Sequence, residues 1–205
     1  MCYIVAREPK ECSVGTKRDS RPVSEETLRW YAMSAPYRRE FIARDIFKAE
    51  GLEYFLPLQR VVADSAGGRK RLVWRPAIAS MIFVRATRSG IQSLKQRRGV
   101  VQYLTRPVEG RNEPITVPDR EMADFRRAIL ADNEKTVFLR PEEIDISKGT
   151  LVRITGGPLN GCTGAFMKVS GVRGRRLVIK LEGLGAVATQ VDPDFVEIIN
   201  PQLTI

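Results

Sequence analysis

The spacing of apolar and polar residues divides this chain into two parts of different structural class. Residues 28–131 alternate short apolar runs with longer stretches in which apolar residues recur every three or four positions. After Lys148 the apolar runs are all short, and glycine-rich turns separate them. The first pattern is typical of strands mixed with amphipathic helices, and the second of strands alone. We therefore predict an α+β domain, with helices flanking an antiparallel sheet, followed by a small all-β domain.

The first part begins with a strand, RWYAM, and Pro36 then precedes a helix of about 14 residues that ends at Gly51. Gly67-Gly68 between two strand patterns predicts a hairpin, and Pro118 opens the last helix. The predicted elements are a strand at 29–33, a helix at 37–50, strands at 54–62 and 72–86, a helix at 89–98, a strand at 100–105 and a helix from 118.

Two segments lack a periodic apolar face. Residues 1–27 are largely polar and are predicted to be a flexible tail, although residues 2–6 also have the composition of an edge strand. Residues 132–147 are acidic, contain Pro141 and are predicted to be a linker. Residues 148–205 then hold five short predicted strands, which indicates a small barrel or half-barrel.

Charge points to a polyanionic partner. The net charge is +10 and the isoelectric point is about 9.9. The excess lies in residues 28–131, which hold 20 Lys or Arg against 10 Asp or Glu, whereas the tail is neutral and the linker acidic. This distribution differs from that of a ribosomal protein, which is more often basic throughout. We therefore expect the positively charged surface to lie on the first domain.

Catalysis is disfavoured because the chain has no histidine, the commonest general base and a frequent zinc ligand. Cys2, Cys12 and Cys162 are odd in number and scattered, so we predict neither a disulfide framework nor a metal site, and a reducing cytoplasm is the simpler interpretation. No apolar run approaches the roughly 18–20 residues of a membrane span. We expect no enzyme, cofactor or membrane partner.

Residues 156–163, GGPLNGCT, have the glycine spacing of a phosphate-binding loop but not its chemistry. In that loop a lysine and the N-terminus of a following helix hold the phosphate. Cys162 occupies the lysine position, and the sequence after Gly164 predicts a strand. We interpret the glycines as a tight connection between strands, where positive φ or close backbone approach excludes a Cβ.

The same segment resembles a KOW motif, the β-barrel module of ribosomal proteins and of NusG-type elongation factors. Val152 and Ile154 match its first strand, residues 157–159 (Gly-Pro-Leu) match its turn, and Gly164 matches the glycine that enters the next strand. This resemblance implies a KOW domain at residues 148–205.

The first part resembles the N-terminal domain of the NusG family. RWYAM precedes a basic helix, and WRPAIASMIFV (74–84) lies where that family shows K-P-L-F-P-G-Y-V-F-V. RRGVVQYL and PITVPDREMADF are similar to later segments of the family. The resemblance covers residues 28–200 and implies a NusG-type N-terminal domain at residues 28–131.

The resemblance implies that the first domain binds the clamp region of RNA polymerase. This chain has Ile78 for the phenylalanine of the family, Ala79-Ser80 for Pro-Gly and Met81 for the tyrosine, so the surface stays apolar with a changed shape. The alternative is that such residues are sheet core, which we prefer for Ile82 and Val84. The polymerase-binding residues carried over are Tyr31, Ser34, Ile78, Met81 and Phe83.

These departures are similar to a specialised class, that of RfaH and the antiterminators of surface- or capsular-polysaccharide operons, which read the non-template DNA strand. In residues 92–98 amide and hydroxyl groups suit base edges, and cations suit phosphate or guanine. The alternative is a solvated helix face beside buried Ile91 and Leu94. The DNA-binding residues implied are Gln92, Ser93, Lys95, Gln96, Arg97 and Arg98, and Arg69, Lys70 and Arg71 at the hairpin tip either extend this path or only solubilise the turn.

For the KOW domain the resemblance implies contact with the ribosome or with the termination factor Rho. Cys162 lies where the general factor has an aromatic residue, and a cysteine anchors an interface less well or is only a small turn residue. The turn residues are Gly157, Pro158, Leu159, Cys162 and Gly164. The implied function is a bacterial transcription elongation or antitermination factor that suppresses pausing or termination. The alternative is a general RNA- or ribosome-binding KOW protein.

Overall fold

A computed structural model describes residues 27–64, 68–131, 136–143 and 145–199. The predicted N-terminal tail, with its alternative edge strand, lies outside these residues except for Thr27. None of the described helices is both long and apolar enough to cross a bilayer.

The first domain contains nine strands and three helices in its described residues. The five-stranded sheet has the order β2-β5-β1-β6, with β9 also paired to β1, and every strand pair in it is antiparallel. The elements are β1 (Arg29–Ser34), α1 (Glu40–Ala49), β2 (Glu53–Phe55), β3 (Leu58–Asp64), β4 (Lys70–Pro76), β5 (Met81–Ala86), α2 (Arg88–Arg98), β6 (Gln102–Tyr103), β7 (Thr105–Val108), β8 (Arg111–Pro114), β9 (Thr116–Val117) and α3 (Asp119–Ala131).

Alternation along β1 sends its side chains to two separate cores. Tyr31 and Met33 pack with apolar residues of α1 and α2 on one side of the sheet. Trp30 and Ala32 pack on the other side, in a cluster that includes Phe125 of α3. The sheet therefore has helices on both faces. The predicted combination of helices with antiparallel sheets is confirmed.

Two predicted elements of the first domain have different limits in the structure. Helix α1 begins at Glu40 because Tyr37 (φ 61°) and Arg38 (φ 56°) have left-handed backbone that cannot start a helix. The long strand predicted at 72–86 is two strands, β4 and β5, separated by a turn at residues 77–80. Pro76 ends the first of them, and Ser80 has a φ of 59°.

The second domain is a six-stranded antiparallel sheet of order β10-β14-β13-β12-β11-β15. Its first strand comes from the segment interpreted as linker, and Thr136 just before it is buried against Thr189. Gly185 permits this pairing, because a Cβ there would lie 2.1 Å from the carbonyl oxygen of Leu139. The strands are β10 (Val137–Leu139), β11 (Thr150–Ile154), β12 (Thr163–Lys168), β13 (Arg175–Leu181), β14 (Gly185–Thr189) and β15 (Val196–Ile198).

Candidate functional site

The turn at residues 77–80 is held to the start of α1 by a buried carboxylate. Glu40 is only 2% exposed, and its Oε1 accepts a hydrogen bond from the backbone N–H of Ser80. The Ser80 carbonyl in turn accepts from the Ala35 N–H at 2.8 Å. These two bonds fix a turn in which Ser80 has left-handed backbone, a conformation that a non-glycine residue adopts at a cost of roughly 1–2 kcal/mol.

Replacement of Glu40 by alanine is expected to lower the free energy of unfolding by about 1–3 kcal/mol, because the Ser80 N–H loses its partner. Replacement by glutamine keeps an acceptor oxygen, so Glu40→Gln should cost less. Urea unfolding of the three proteins checks this order. Asp45→Ala is the control, since Asp45 is paired with Arg44 on the surface, and a loss as large as that of Glu40→Ala would contradict the role of the Ser80 bond.

The residues predicted to bind polymerase are distributed over both faces of the sheet. Ser34 and Met81 are direct cross-strand partners, so their side chains share the α3 side with Phe83. Ile78 lies in the turn before β5 and belongs to the same cluster. Tyr31 instead points to the α1 and α2 side, where its ring lies 5.6 Å from that of Tyr103. The fold thus brings together four of the five residues.

Phe83 is fully buried beneath α3. Its ring centroid lies 5.5 Å from that of Phe125, and Phe55 completes the group at 5.7 Å from Phe125. The guanidinium of Arg126 lies over the rings of Phe55 and Trp30. Phe83 therefore has a packing role in this arrangement, while Ser34 and Met81 keep part of their surface exposed.

The residues predicted to bind DNA lie on α2, which is capped by Thr87 and ends at Gly99 with left-handed backbone. Ile91 and Leu94 are buried in the core, as the helical period requires. The exposed residues of the predicted set are Gln92, Ser93, Gln96, Arg97 and Arg98.

Two cations of this set already have partners within the domain. The Lys95 ammonium lies 4.5 Å from the ring centroid of Tyr103. Arg97 donates to both carboxylate oxygens of Glu50, at 3.3 and 3.0 Å. A nucleic acid phosphate would have to compete with Glu50 for Arg97, whereas Arg98 has no ion pair among the described residues.

The turn of the second domain contacts the first domain. Leu159 and Cys162 are buried, whereas Gly157 (φ 67°) and Pro158 are exposed. Gly164 is required by close approach, because a Cβ at this position would lie 2.5 Å from the carbonyl oxygen of Val178. The sequence interpretation of these glycines as a connection between strands agrees with this geometry.

Arg127 of α3 links the two domains at this turn. Its Nη1 lies 3.4 Å from the Asn160 carbonyl oxygen, 3.9 Å from the Cys162 sulfur and 3.4 Å from an Asp124 oxygen. Burial raises the pKa of the Cys162 thiol to about 11, although the neighbouring Arg127 acts in the opposite direction. The thiol is therefore protonated at neutral pH and unreactive as a nucleophile.

An apolar cluster continues across the boundary between the domains. Helix α3 contacts β1 on one side and β13 and β14 on the other. Two polar contacts border the cluster: Arg106 pairs with Glu182 at 3.3 Å, and the Glu182 N–H donates to Glu121. The second domain therefore covers the outer side of α3. Buried members of the cluster are Met122, Phe125, Ala128 and Ile129 from α3, and Val152, Ile154, Leu159, Cys162, Leu177, Ile179, Leu181, Leu184, Val187 and Val191 from the second domain.

Comparison with known families identifies the first domain. Residues 28–126 match the family model described as "Transcription termination factor nusG". Over these residues the first domain is similar to the NusG family. This family consists of transcription factors and not of enzymes, and its proteins interact with RNA polymerase.

No curated protein matches the chain. A solved structure of NusG from Thermotoga maritima is similar, with 18% sequence identity and a TM-score of 0.41 over 85% of this chain and 98% of that chain. The second domain lies outside the family match.

Sequence reasoning missed two residues that organise the first domain and its contact with the second. Glu40 had only the signal of an acidic residue at the start of a helix, and its partner Ser80 is 40 residues away. Arg127 is one of several cations on α3, and its partner Asn160 is 33 residues away. No local pattern identifies either pair.

Proposed function

We propose that this chain is a bacterial transcription elongation or antitermination factor that binds RNA polymerase and suppresses pausing or termination. The observation that carries the proposal is the NusG family match over residues 28–126, the segment that contains every residue assigned below to polymerase or DNA. A factor of this kind acts in the cytoplasm and catalyses no reaction of its own.

The polymerase contact is formed by Ser34, Ile78 and Met81, with Phe83 and Tyr31 supporting the sheet from its two cores. The alignment of Ser34 with Met81 across β1 and β5 supports this assignment, and so does the turn that Glu40 fixes. The domain bridges the clamp region of the polymerase. Because it binds the closed clamp better than the open one, it shifts the population towards the closed, elongating state.

The exposed face of α2 contacts the non-template DNA strand. Gln92, Ser93 and Gln96 offer hydrogen-bond groups to base edges, and the cations meet phosphate or guanine. Arg98 is available without rearrangement, whereas Arg97 first leaves Glu50 and Lys95 first leaves Tyr103. The positive charge of the first domain gives fast, salt-sensitive association with the nucleic-acid-rich elongation complex.

The second domain is a KOW domain that recruits a further partner, the ribosome or Rho, through its turn. Leu159 and Cys162 are buried against the first domain, so this contact requires the two domains to separate. A partner that binds only the separated form pays the free energy of opening, and its apparent affinity falls by the fraction of open molecules. Because the two domains belong to one chain, the separated second domain still meets its partner at a high effective concentration.

The target is a specific operon, of the kind that encodes surface or capsular polysaccharides. Support comes from the residues at 78–81, where the chain has Ile-Ala-Ser-Met in place of the aromatic and Pro-Gly residues of the general factor. The cysteine at position 162, in place of an aromatic residue, supports a weaker contact with the ribosome or Rho than that of the general factor.

The test is a single-round transcription assay with bacterial RNA polymerase on the chain's own operon leader. The full chain is expected to shorten pause lifetimes, and no nucleotide hydrolysis beyond transcript synthesis should accompany this effect. Pause lifetimes that stay unchanged at saturating protein would refute the proposal. Deletion of residues 132–205 separates it from a general RNA-binding function: polymerase binding should survive here, whereas nucleic-acid binding would be lost if the second domain carried the activity.

A further inference from the structure

Strands β3 and β4 form a hairpin that lies outside the five-stranded sheet. Among the described residues the two strands hydrogen-bond only to each other, over seven residue pairs from Leu58↔Pro76 to Asp64↔Lys70. A two-stranded hairpin is marginally stable in water unless one face is packed. The odd-numbered residues Val61 and Val73 are half-buried, so the opposite face is the one that meets solvent.

This solvent-facing side carries a row of large apolar residues. Val62 pairs directly with Leu72, and Trp74 pairs with Arg60 on the same face. The three apolar side chains are 62%, 54% and 45% exposed. On an antiparallel pair with one solvated face, that face is normally polar. Because these three side chains are neighbours on one face of the hairpin, they form a continuous exposed apolar patch, which indicates a binding surface rather than scattered surface residues.

The charge of the hairpin indicates the chemistry of its partner. Its described residues carry five cations, Arg60, Arg69, Lys70, Arg71 and Arg75, against the single acid Asp64. In the described part of the chain, no ion pair includes the cations at 69, 70, 71 or 75. Like charges concentrated in this way repel each other, and a polyanion relieves the repulsion.

We propose that the exposed face of this hairpin binds single-stranded nucleic acid, with Trp74 as a stacking surface for an unpaired base. The Arg60 guanidinium lies 6.0 Å from the Trp74 ring centroid, which holds the ring in place and adds a cation beside it. Val62 and Leu72 extend the apolar contact, and Lys70 with its basic neighbours meets the phosphates. Aromatic rings stack on unpaired bases of any sequence, whereas a duplex hides the base faces and offers mainly phosphate.

This surface is separate from the α2 face assigned above, and its test needs no polymerase. A 5′-labelled single-stranded DNA of 20 nucleotides and the duplex of the same sequence are titrated with the full chain, and fluorescence anisotropy is measured. Trp74→Ala is expected to weaken single-strand binding about tenfold, the effect of one lost base stack. Trp74→Phe should retain most of the affinity, and Ile198→Ala, which removes a more exposed apolar side chain of the second domain, should change nothing.

Intrinsic fluorescence adds a local readout, because Trp30 is buried and Trp74 is exposed. Single-stranded DNA should quench the emission of the wild-type chain, and this quenching should be lost in Trp74→Phe. Thermal unfolding monitored by circular dichroism verifies that the variants fold. Equal single-strand affinity of Trp74→Ala and wild type would overturn the proposal, as would an equal loss for single strand and duplex. Absence of single-strand binding by the wild type would overturn it too, leaving an acidic protein as the occupant of this face.

Discussion

Replacement of Phe125 by alanine is expected to lower the free energy of unfolding of the first domain by about 3–5 kcal/mol. Phe125 is fully buried in α3, and its ring contacts those of Phe55 and Phe83 at centroid distances of 5.7 and 5.5 Å. The substitution removes most of a buried aromatic side chain and leaves a cavity between the sheet and α3. Urea unfolding followed by the emission of Trp30, which is buried in the same cluster, measures the loss.

Phe41→Ala is the matched control for this substitution. Phe41 is 36% exposed on α1, and its ring meets only the guanidinium of Arg44 among the ring contacts of the described residues. Its replacement should cost less than about 1 kcal/mol. If the two alanine variants were equally stable, α3 would not be packed on the sheet in solution as it is in this structure.

Replacement of Met81 by glutamate is expected to weaken binding of RNA polymerase about thirtyfold or more, the effect of losing a central interface residue. Met81 is half-buried beside Ile78 at the proposed polymerase contact. A carboxylate at this position would lose its water on docking and would gain no charged partner, which lowers the free energy of binding. A carboxylate outside the interface keeps its water and has no such effect. Competition or pull-down titrations with core polymerase give the affinity, and pause lifetimes should return to those of polymerase alone.

Ile42→Glu serves as the control. Ile42 is 52% exposed on α1, and its replacement introduces the same negative charge at another surface of the first domain. This variant should bind polymerase with an affinity within about threefold of wild type, so its binding free energy should change by less than about 1.4 kcal/mol. Circular dichroism establishes that Met81→Glu is folded. An unaltered affinity in folded Met81→Glu would show that this residue lies outside the polymerase interface.

The sequence predicted the class of each element better than its limits. The strand at 29–33, the short helix before Gly99 and the last helix after Pro118 all lie where the periodic pattern puts them. Helix α1 begins later than predicted, because Tyr37 and Arg38 have positive φ and neither residue type signals that conformation. The strand β10 was interpreted as linker because three residues are too few to show alternation, and its place in the sheet depends on pairing with β14.

The candidate site was predictable as a segment but not as a surface. Motif positions put Tyr31 and Phe83 in one group, yet alternation along paired strands sends them to opposite faces of the sheet. Motif positions also identified residues 92–98 as a set, but could not show that Arg97 is held by Glu50 or that Lys95 lies on Tyr103. These partners come from other elements, so no spacing within the segment indicates them.

By itself the sequence determined that this chain has an α+β part and an all-β part, that its positive charge is concentrated in the first, and that residues 156–163 have a cysteine where a phosphate-binding loop has its lysine. Each of these depends on local periodicity, composition or residue chemistry. Only the tertiary structure decided that Glu40 fixes the Ser80 turn, that the second domain covers α3 through Arg127, and that the hairpin exposes Trp74. The reason is that burial and hydrogen bonding between residues tens of positions apart depend on how elements pack, and packing leaves no local pattern in the chain.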